Sequence, residues 1–339
     1  MRRALIRTSH FAVALTLAFA LSTVAMRPAS AEPLTVGYSD WPGWVVWQVA
    51  IDKGWFKEAG VDVKFQWFDY SASMEAFAAG KLDADLMTNG DTLVTGAGGA
   101  KSIMIMATDY SNGNDQIVAK PGIKTVPELK GKKIGVEIGL VDHLLILQAL
   151  ELNKMTEKDV ELVNTKTNDT PQVLASGQVD AIAAWPPSAY LAQKALPGAK
   201  PIFTSAQAPG LIYDVLSVSP ASLAAHKDDW MKVISVWDRV VKYVNDPATQ
   251  DDALKIMSQR DGLTPEEFKP LLKGTRLLTL AENKKVFEKG TGLDSMYGSS
   301  KVSDDFNVKN DVYKEPQDVD SYIDPSLVNA VKPMASATP

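Results

Sequence analysis

An α/β protein of two lobes is what these 339 residues predict. Short apolar runs alternate with helical stretches, the pattern of sheets joined by crossover helices rather than of an all-β domain. A chain of this length exceeds what one core usually serves, so two units of roughly 100–200 residues each are expected. The strand–helix rhythm also breaks at Pro121-Gly122 and restarts after it.

In the first stretch Leu34–Tyr38, Val61–Phe68, Leu82–Met87 and Ser102–Thr108 read as strands of parallel sheet. Between them lie helices at Trp44–Lys53, ended by Gly54, at Ser73–Ala79, stopped by Gly80, and at Thr92–Ala97. After the break, Lys133–Glu137, Val160–Val163, Val179–Ala184 and Pro201–Thr204 read as strands, with helices at Val141–Leu152, Pro171–Ser176 and Ser188–Ala195. Ala79-Gly80-Lys81-Leu82-Asp83-Ala84 and Ser176-Gly177-Gln178-Val179-Asp180-Ala181 each set a helix-ending Gly before a buried strand, which fits two related lobes or a common turn. The apolar run Tyr213–Val218 returns the chain to the first lobe, giving boundaries of 32–118 with 216–339 for lobe I and 119–215 for lobe II. From Pro220 the pattern is helical, at Trp230–Val244, Gln250–Ser258, Pro265–Leu272 and Glu282–Glu288, before a polar tail.

Residues 1–31 differ from the rest. Arg2, Arg3 and Arg7 precede the apolar run Phe11–Val24, and Ala29-Ser30-Ala31 supplies a small-residue cleavage pattern, so a secretory signal peptide and a mature start near Glu32 are expected. Removing four Arg and no acid takes the formal charge from −6 to −10. An exported acidic chain is a poor partner for nucleic acid or anionic lipid. With no cysteine, disulfides, thiol nucleophiles, Cys-ligated metals and a lipidated anchor are excluded.

Catalytic signatures are missing: there is no GxSxG, GxxxxGK[ST] or HExxH, and beyond the leader only His143 and His226 remain. No catalytic residue, metal or cofactor is expected, although a carboxylate pair carries no local signature. The informative residues follow the strands, where open α/β sheets bind ligands. Seven such segments, Ser39–Trp47, Phe68–Met74, Thr88–Thr92, Thr108–Gln116, Glu137–His143, Trp185–Tyr190 and Pro209–Leu216, contain no Lys or Arg. They carry Asp40, Asp69, Asp91, Asp109, Asp115, Glu137, Asp142 and Asp214 among Trp and Tyr. Acids beside π-faces suit a cation.

Trp41, Trp44, Tyr70 and Trp185 are therefore the candidate faces, and Asp69, Asp91, Asp109 and Glu137 the candidate acceptors. Asn89 precedes a Gly that admits close backbone approach, and Tyr213 completes the ligand-binding set. Asp91 and Asp142 equally suit helix N-termini, Asp40 and Asp115 suit solvated loops, and Trp47 suits the core. Tyr213 and Asp214 alternate on a strand, so at most one reaches the cleft.

Lys53-Gly54-Trp55-Phe56-Lys57-Glu58-Ala59-Gly60-Val61, Leu129-Lys130-Gly131-Lys132-Lys133-Ile134-Gly135-Val136 and Val179-Asp180-Ala181-Ile182-Ala183-Ala184-Trp185-Pro186-Pro187 resemble the periplasmic substrate-binding proteins of ABC importers, in the nitrate, sulfonate, taurine and thiamine-precursor group. Asp40-Trp41-Pro42-Gly43-Trp44, Phe68-Asp69-Tyr70, Thr88-Asn89-Gly90-Asp91 and Asp109-Tyr110-Ser111-Asn112-Gly113-Asn114-Asp115 resemble the subgroup associated with urea and guanidine carboxylation. The resemblance implies a type II-like two-lobed periplasmic binding protein, hinged, with its ligand between the lobes. It also implies a monomer in the periplasm that serves an inner-membrane permease and its ATPase. A small nitrogen-rich compound of the guanidinium, urea or amine class, cationic as guanidinium is, is the expected ligand. A sulfonate, taurine or nitrate binder, and a thiamine-precursor binding protein or enzyme, stay open as alternatives.

Overall fold

The computed structural model describes residues 32–334, and the expected signal peptide lies outside them. Its strands are β1 (Leu34–Tyr38), β2 (Val63–Trp67), β3 (Ala84–Thr88), β4 (Ile103–Ser111), β5 (Gln116–Ala119), β6 (Lys133–Val136), β7 (Glu161–Asn164), β8 (Ala181–Ala184), β9 (Lys200–Thr204), β10 (Tyr213–Val218) and β11 (Thr275–Leu277). They form two sheets, ordered β11-β4-β10-β3-β1-β2 and β7-β6-β8-β5-β9.

Both sheets are wired alike. In each, a parallel trio (β2, β1 and β3, or β7, β6 and β8) is followed by an antiparallel strand, β10 or β5, and then by β4 or β9. The expected parallel sheets are thus mixed, for a simple reason. A strand crossing from the other sheet enters at the carboxyl ends of the trio and must run back against it. The crossings are residues 112–115 and 205–212, a few positions before the expected divisions at 118/119 and 215/216. β5 is short and runs directly into Lys120-Pro121-Gly122, which masks it as part of a turn.

Burial explains the strand composition. Central β3 and β8 are buried along their whole length, so they read as continuous runs rather than as alternating ones. Gly80 and Gly177, just before them, have φ of 70° and 76°, the left-handed turn that a side chain resists. Trp47 has no exposed surface and packs 4.6 Å from Trp237 and 5.8 Å from Phe56, which assigns it to the core. Truncating such a ring to Ala costs about 3–5 kcal/mol.

The expected polar tail is largely structured. Met296–Lys309 is a helix whose buried face includes Ser299, Ser300, Ser303, Asp304 and Asn307. Small polar residues give that face no apolar stripe, so periodicity cannot reveal it. Hydrogen bonds hold it instead, with the Asn89 side chain donating to Ser299 Oγ at 3.0 Å and Ser300 Oγ at 3.2 Å.

Candidate functional site

The segments following β1, β2, β3 and β8, with the first turn of the Val141–Leu152 helix after β6, enclose a small cavity between the sheets. Its accessible volume is about 10 Å³, room for about one water. Four rings line it in sequence. Trp41 and Trp44 lie 6.5 Å apart between centroids, Trp44 and Tyr70 5.2 Å, and Tyr70 and Trp185 5.3 Å. Pro42 starts the helix Pro42–Val45 and leaves Trp41 extended as its N-cap, which turns that ring across to Asp109. Trp41 Nε1 donates to Asp109 Oδ1 at 2.9 Å. A side chain at position 43 would overlap the Asp109 carboxylate, so Gly43 is required there.

Carboxyl groups form the rest of the site. Asp91, Asp109, Asp115, Asp142 and Asp214 are each at most 2% exposed, and none joins an ion pair among the described residues. Asp109 faces Asp214, and Asp115 faces Asp142, as two carboxyl pairs at hydrogen-bonding range. Both Asp142 oxygens and the Oδ2 atoms of Asp115 and Asp214 receive no hydrogen bond from any donor group of the described protein. Burial pushes Asp109 up to about 7 and Asp115 up to about 6. Asp142 and Asp214 go well above the carboxylate range, by burial first and by their acidic neighbours second. Two like charges about 4 Å apart in a partly screened site repel by about 4 kcal/mol, so such a cluster holds protons or a cation.

Asp91 occupies a particular place. Tyr70 Oη donates to its Oδ2 at 2.7 Å and accepts the Thr88 N–H at 3.0 Å. The backbone N–H of Val141, first residue of its helix, points at Asp91 as well. Burial still raises Asp91 to about 7. Three helix N-termini reach the site, and each carries an acid: Asp69 is N-cap of Tyr70–Ala78, Asp91 is in the first turn of Asn89–Ala97, and Asp142 is in the first turn of Val141–Leu152. Such positive ends elsewhere attract anions; here an acid stands beside each, although Asp142, pushed well above the carboxylate range, holds its proton.

The expected site residues separate into three groups. Trp41, Trp44, Tyr70 and Trp185 line the cavity together, with Asp109 behind Trp41 and Asp91 behind Tyr70. At the rim, Asp69 accepts from Asn168 at 2.8 Å, Glu137 from Thr167 at 3.2 Å, and the buried-side Asp40, raised to about 6 by burial, from Trp185 Nε1 at 3.3 Å. Asn89 and Tyr213 lie outside the wall of this cavity. The Asn89 amide is taken up by Ser299, Ser300 and the Tyr213 N–H, which makes it a wall support. Tyr213 turns away to pack on Tyr110 and donate to the Leu293 carbonyl at 3.0 Å, while its strand neighbour Asp214 enters the cavity. Asp115, Asp142, Asp214, Thr88, Val141 and Ile212 complete the site beyond the expected set.

Comparison with known proteins bears on this geometry. The profile of the NMT1/THI5 like family matches residues 41–250. A binding protein of Brucella abortus is 31% identical over 194 residues, 57% of this chain and 59% of that one, so the chain spans about three fifths of this curated relative. In structure, the periplasmic aliphatic sulphonate binding protein SsuA of Escherichia coli superposes with a TM-score of 0.72 at 16% identity, covering 91% of this chain and 96% of its own. The desulfurization enzyme DSZB superposes with a TM-score of 0.64 at 16% identity, covering 88% and 97%. At these identities the two structures share the fold with this chain and carry no statement about its ligand.

Proposed function

The chain belongs to the NMT1/THI5-like family, and on that premise we propose that it is the solute-binding component of an ABC importer, capturing a small nitrogen-rich compound of the guanidinium, urea or amine class, a cation of the guanidinium or amine kind above all. One observation carries the choice of cation: buried Asp115 and Asp214 line a ring-walled cavity that has no Lys or Arg in its wall, with Asp91 and Asp109 behind its rings and Asp142 facing Asp115. Bringing a cation out of water is costly, and the carboxyls offset this by charge-assisted hydrogen bonds of about 1.5–3 kcal/mol each. A planar guanidinium adds a face for stacking on Trp or Tyr, while its edge presents fixed donors to the acids.

In this reading the two sheets mark two lobes, divided near 32–118 with 216–339 and 119–215, that close on the ligand about the crossings. Asp91, Asp109 and Asp214 approach from the first sheet and Asp142 from the second, so a bound cation neutralises charges that otherwise oppose closure. Location in the periplasm, a monomeric state and delivery to a permease with its ATPase belong to the same proposal. The cavity wall presents carboxyls, rings and the Thr88 hydroxyl, which supports binding rather than turnover.

An anion reading has one specific support, the three helix N-termini at the site. Against it, an acid stands at each of them, and no Lys or Arg joins them in the cavity wall. A thermal-shift screen separates the readings, since a ligand of the folded state raises its melting temperature. Guanidinium, urea or small amines should raise it, whereas stabilisation by taurine or nitrate alone would replace the cation reading with the anionic one.

A further inference from the structure

The ring-lined cavity has room for about one water, so a ligand enters it only when the two lobes part. Whatever holds the lobes together therefore bears on affinity as well. The acids gathered at the cavity from both lobes repel one another when ionised and oppose closure. Contacts outside the cavity do the opposite. The Asn168 amide donates to Asp69 Oδ1 at 2.8 Å, Trp185 Nε1 to Asp40 Oδ1 at 3.3 Å, and Tyr190 Oη and Lys194 Nζ to Glu267 Oε1 at 3.3 and 3.0 Å. In each of these contacts the donor lies within residues 119–215 and the carboxylate outside them.

The contacts differ in how firmly the carboxylate is fixed. Asp69 and Asn168 are both exposed, where water competes for the same bonds, and the bond to Asp40 is long. Glu267 is fixed by its own helix. Its Oε2 accepts the Thr264 N–H at 3.0 Å and the Thr264 hydroxyl at 3.1 Å, while Thr264 Oγ1 accepts the Glu267 N–H at 3.3 Å, the reciprocal box that starts the Pro265–Lys273 helix. That arrangement aims Oε1 at the other lobe. There Tyr190 and Lys194 stand one turn apart on the Ser188–Ala195 helix and converge on this one oxygen. The Thr264 N–H first and Lys194 second hold Glu267 at about 2, so it is a carboxylate at neutral pH.

We propose that Glu267, with Lys194 and Tyr190, is a latch between the lobes: it stabilises the closed form against the repulsion of the acid cluster and so raises ligand affinity without touching the ligand. This rests on the two-lobed, closing reading above and not on the identity of the ligand. Glu267 is a positioning residue, set outside the cavity by a helix cap that already holds half of its carboxylate.

Small-angle scattering without ligand, and calorimetric titration with guanidinium, test this on the intact chain, Lys194→Met, Glu267→Gln and the double variant. Gln keeps an acceptor for the Thr264 N–H, and the Lys194 side chain is 62% exposed, so both variants should keep the fold. Each should show a larger radius of gyration than the intact chain. Guanidinium should bind each about two- to fivefold more weakly, the range of a partly exposed ion pair, and the double variant no more weakly than Glu267→Gln alone, since both changes break one contact. Unchanged radii, unchanged affinities, or losses that add in the double variant would each overturn the latch. Absence of guanidinium binding by all four chains would overturn the cation reading instead, and the ligand-free radii would still decide the latch.

Discussion

Asp83 and Asp180 occupy matching places at the amino ends of β3 and β8, and the aspartates gathered at the opposite, carboxyl edge of the two sheets behave in the opposite way. Asp83 Oδ2 accepts the Thr35 N–H at 2.8 Å, and Asp180 Oδ2 accepts the Lys133 N–H at 3.0 Å, each from the first strand of its trio. Against the pull of burial, Lys120 and that N–H hold Asp180 below the ordinary range. At the carboxyl ends, Asp91, Asp109, Asp115, Asp142 and Asp214 are buried with too few donors and are pushed up. One residue type thus fastens the fold at Asp83 and Asp180 and opposes it in the cluster at the carboxyl edge. The contrast teaches that the unsatisfied end is maintained for something other than stability.

Neutralising the unsatisfied end should have the largest effect on binding. Asp109→Asn and Asp214→Asn should each weaken cation affinity by about 1.5–3 kcal/mol, measured calorimetrically. Their ligand-free melting temperatures should change little near pH 5, where both acids hold their protons, and stay unchanged or rise at pH 8, where the Asp109 variant removes a buried charge. A large loss of stability in both would erase the distinction between the two ends.

Asp83→Ala should do the reverse. It leaves the Thr35 N–H and hydroxyl without their acceptor, so unfolding stability should fall by about 1–3 kcal/mol with cation affinity preserved. Denaturant titration reads the first quantity. Equal damage to affinity would mean that the amino end also belongs to the site.

Trp41→Ala should weaken binding by about 0.5–2 kcal/mol through the lost cation–π attraction, plus the lost apolar contact. A Phe at that position should recover part of the loss, since it keeps a ring but not the bond to Asp109.

The most gradual effect is that of pH. Asp91 and Asp109 rise to about 7, and Asp40 and Asp115 to about 6, from an ordinary value of 3.8. Above 3.8 the unfolded chain gives up these protons while the ligand-free fold retains them, so its stability should fall as pH rises from about 4 to 7. The ligand-free protein should therefore melt higher at pH 5 than at pH 8, while cation affinity changes in the opposite direction. Acids held low, such as Glu267 at about 2, lose their contribution only below this window.

Much of the fold was legible because the central strands are short, largely apolar runs, broken in β3 by Asp85, and because Gly80 and Gly177 mark the turns into β3 and β8. β5 escaped notice through its shortness, and the Met296–Lys309 helix through its buried serines and asparagine, which hydropathy counts as surface. In the site, the four rings could be read because the strand-end position and the turn at Pro42-Gly43 leave little else for Trp41 to do. Asp115 and Asp142 could not, since a loop or first-turn acid is ordinarily solvated and only the closed tertiary structure buries them against each other. Strand alternation allowed one of Tyr213 and Asp214, but which face of β10 looks into the cavity depends on the sheet it joins.

The central claim is that this acid cluster holds protons in place of a cation. Calorimetric titration with guanidinium near pH 7, repeated in buffers of different ionisation enthalpy, tests it directly, because a cation entering the site must drive protons out of carboxyls whose range has risen to about 7. Binding with net proton release, growing smaller as the pH is raised to 8.5, is the predicted result. Binding with no proton release at pH 7, or no binding of any cation alongside tight binding of nitrate or taurine, would contradict it.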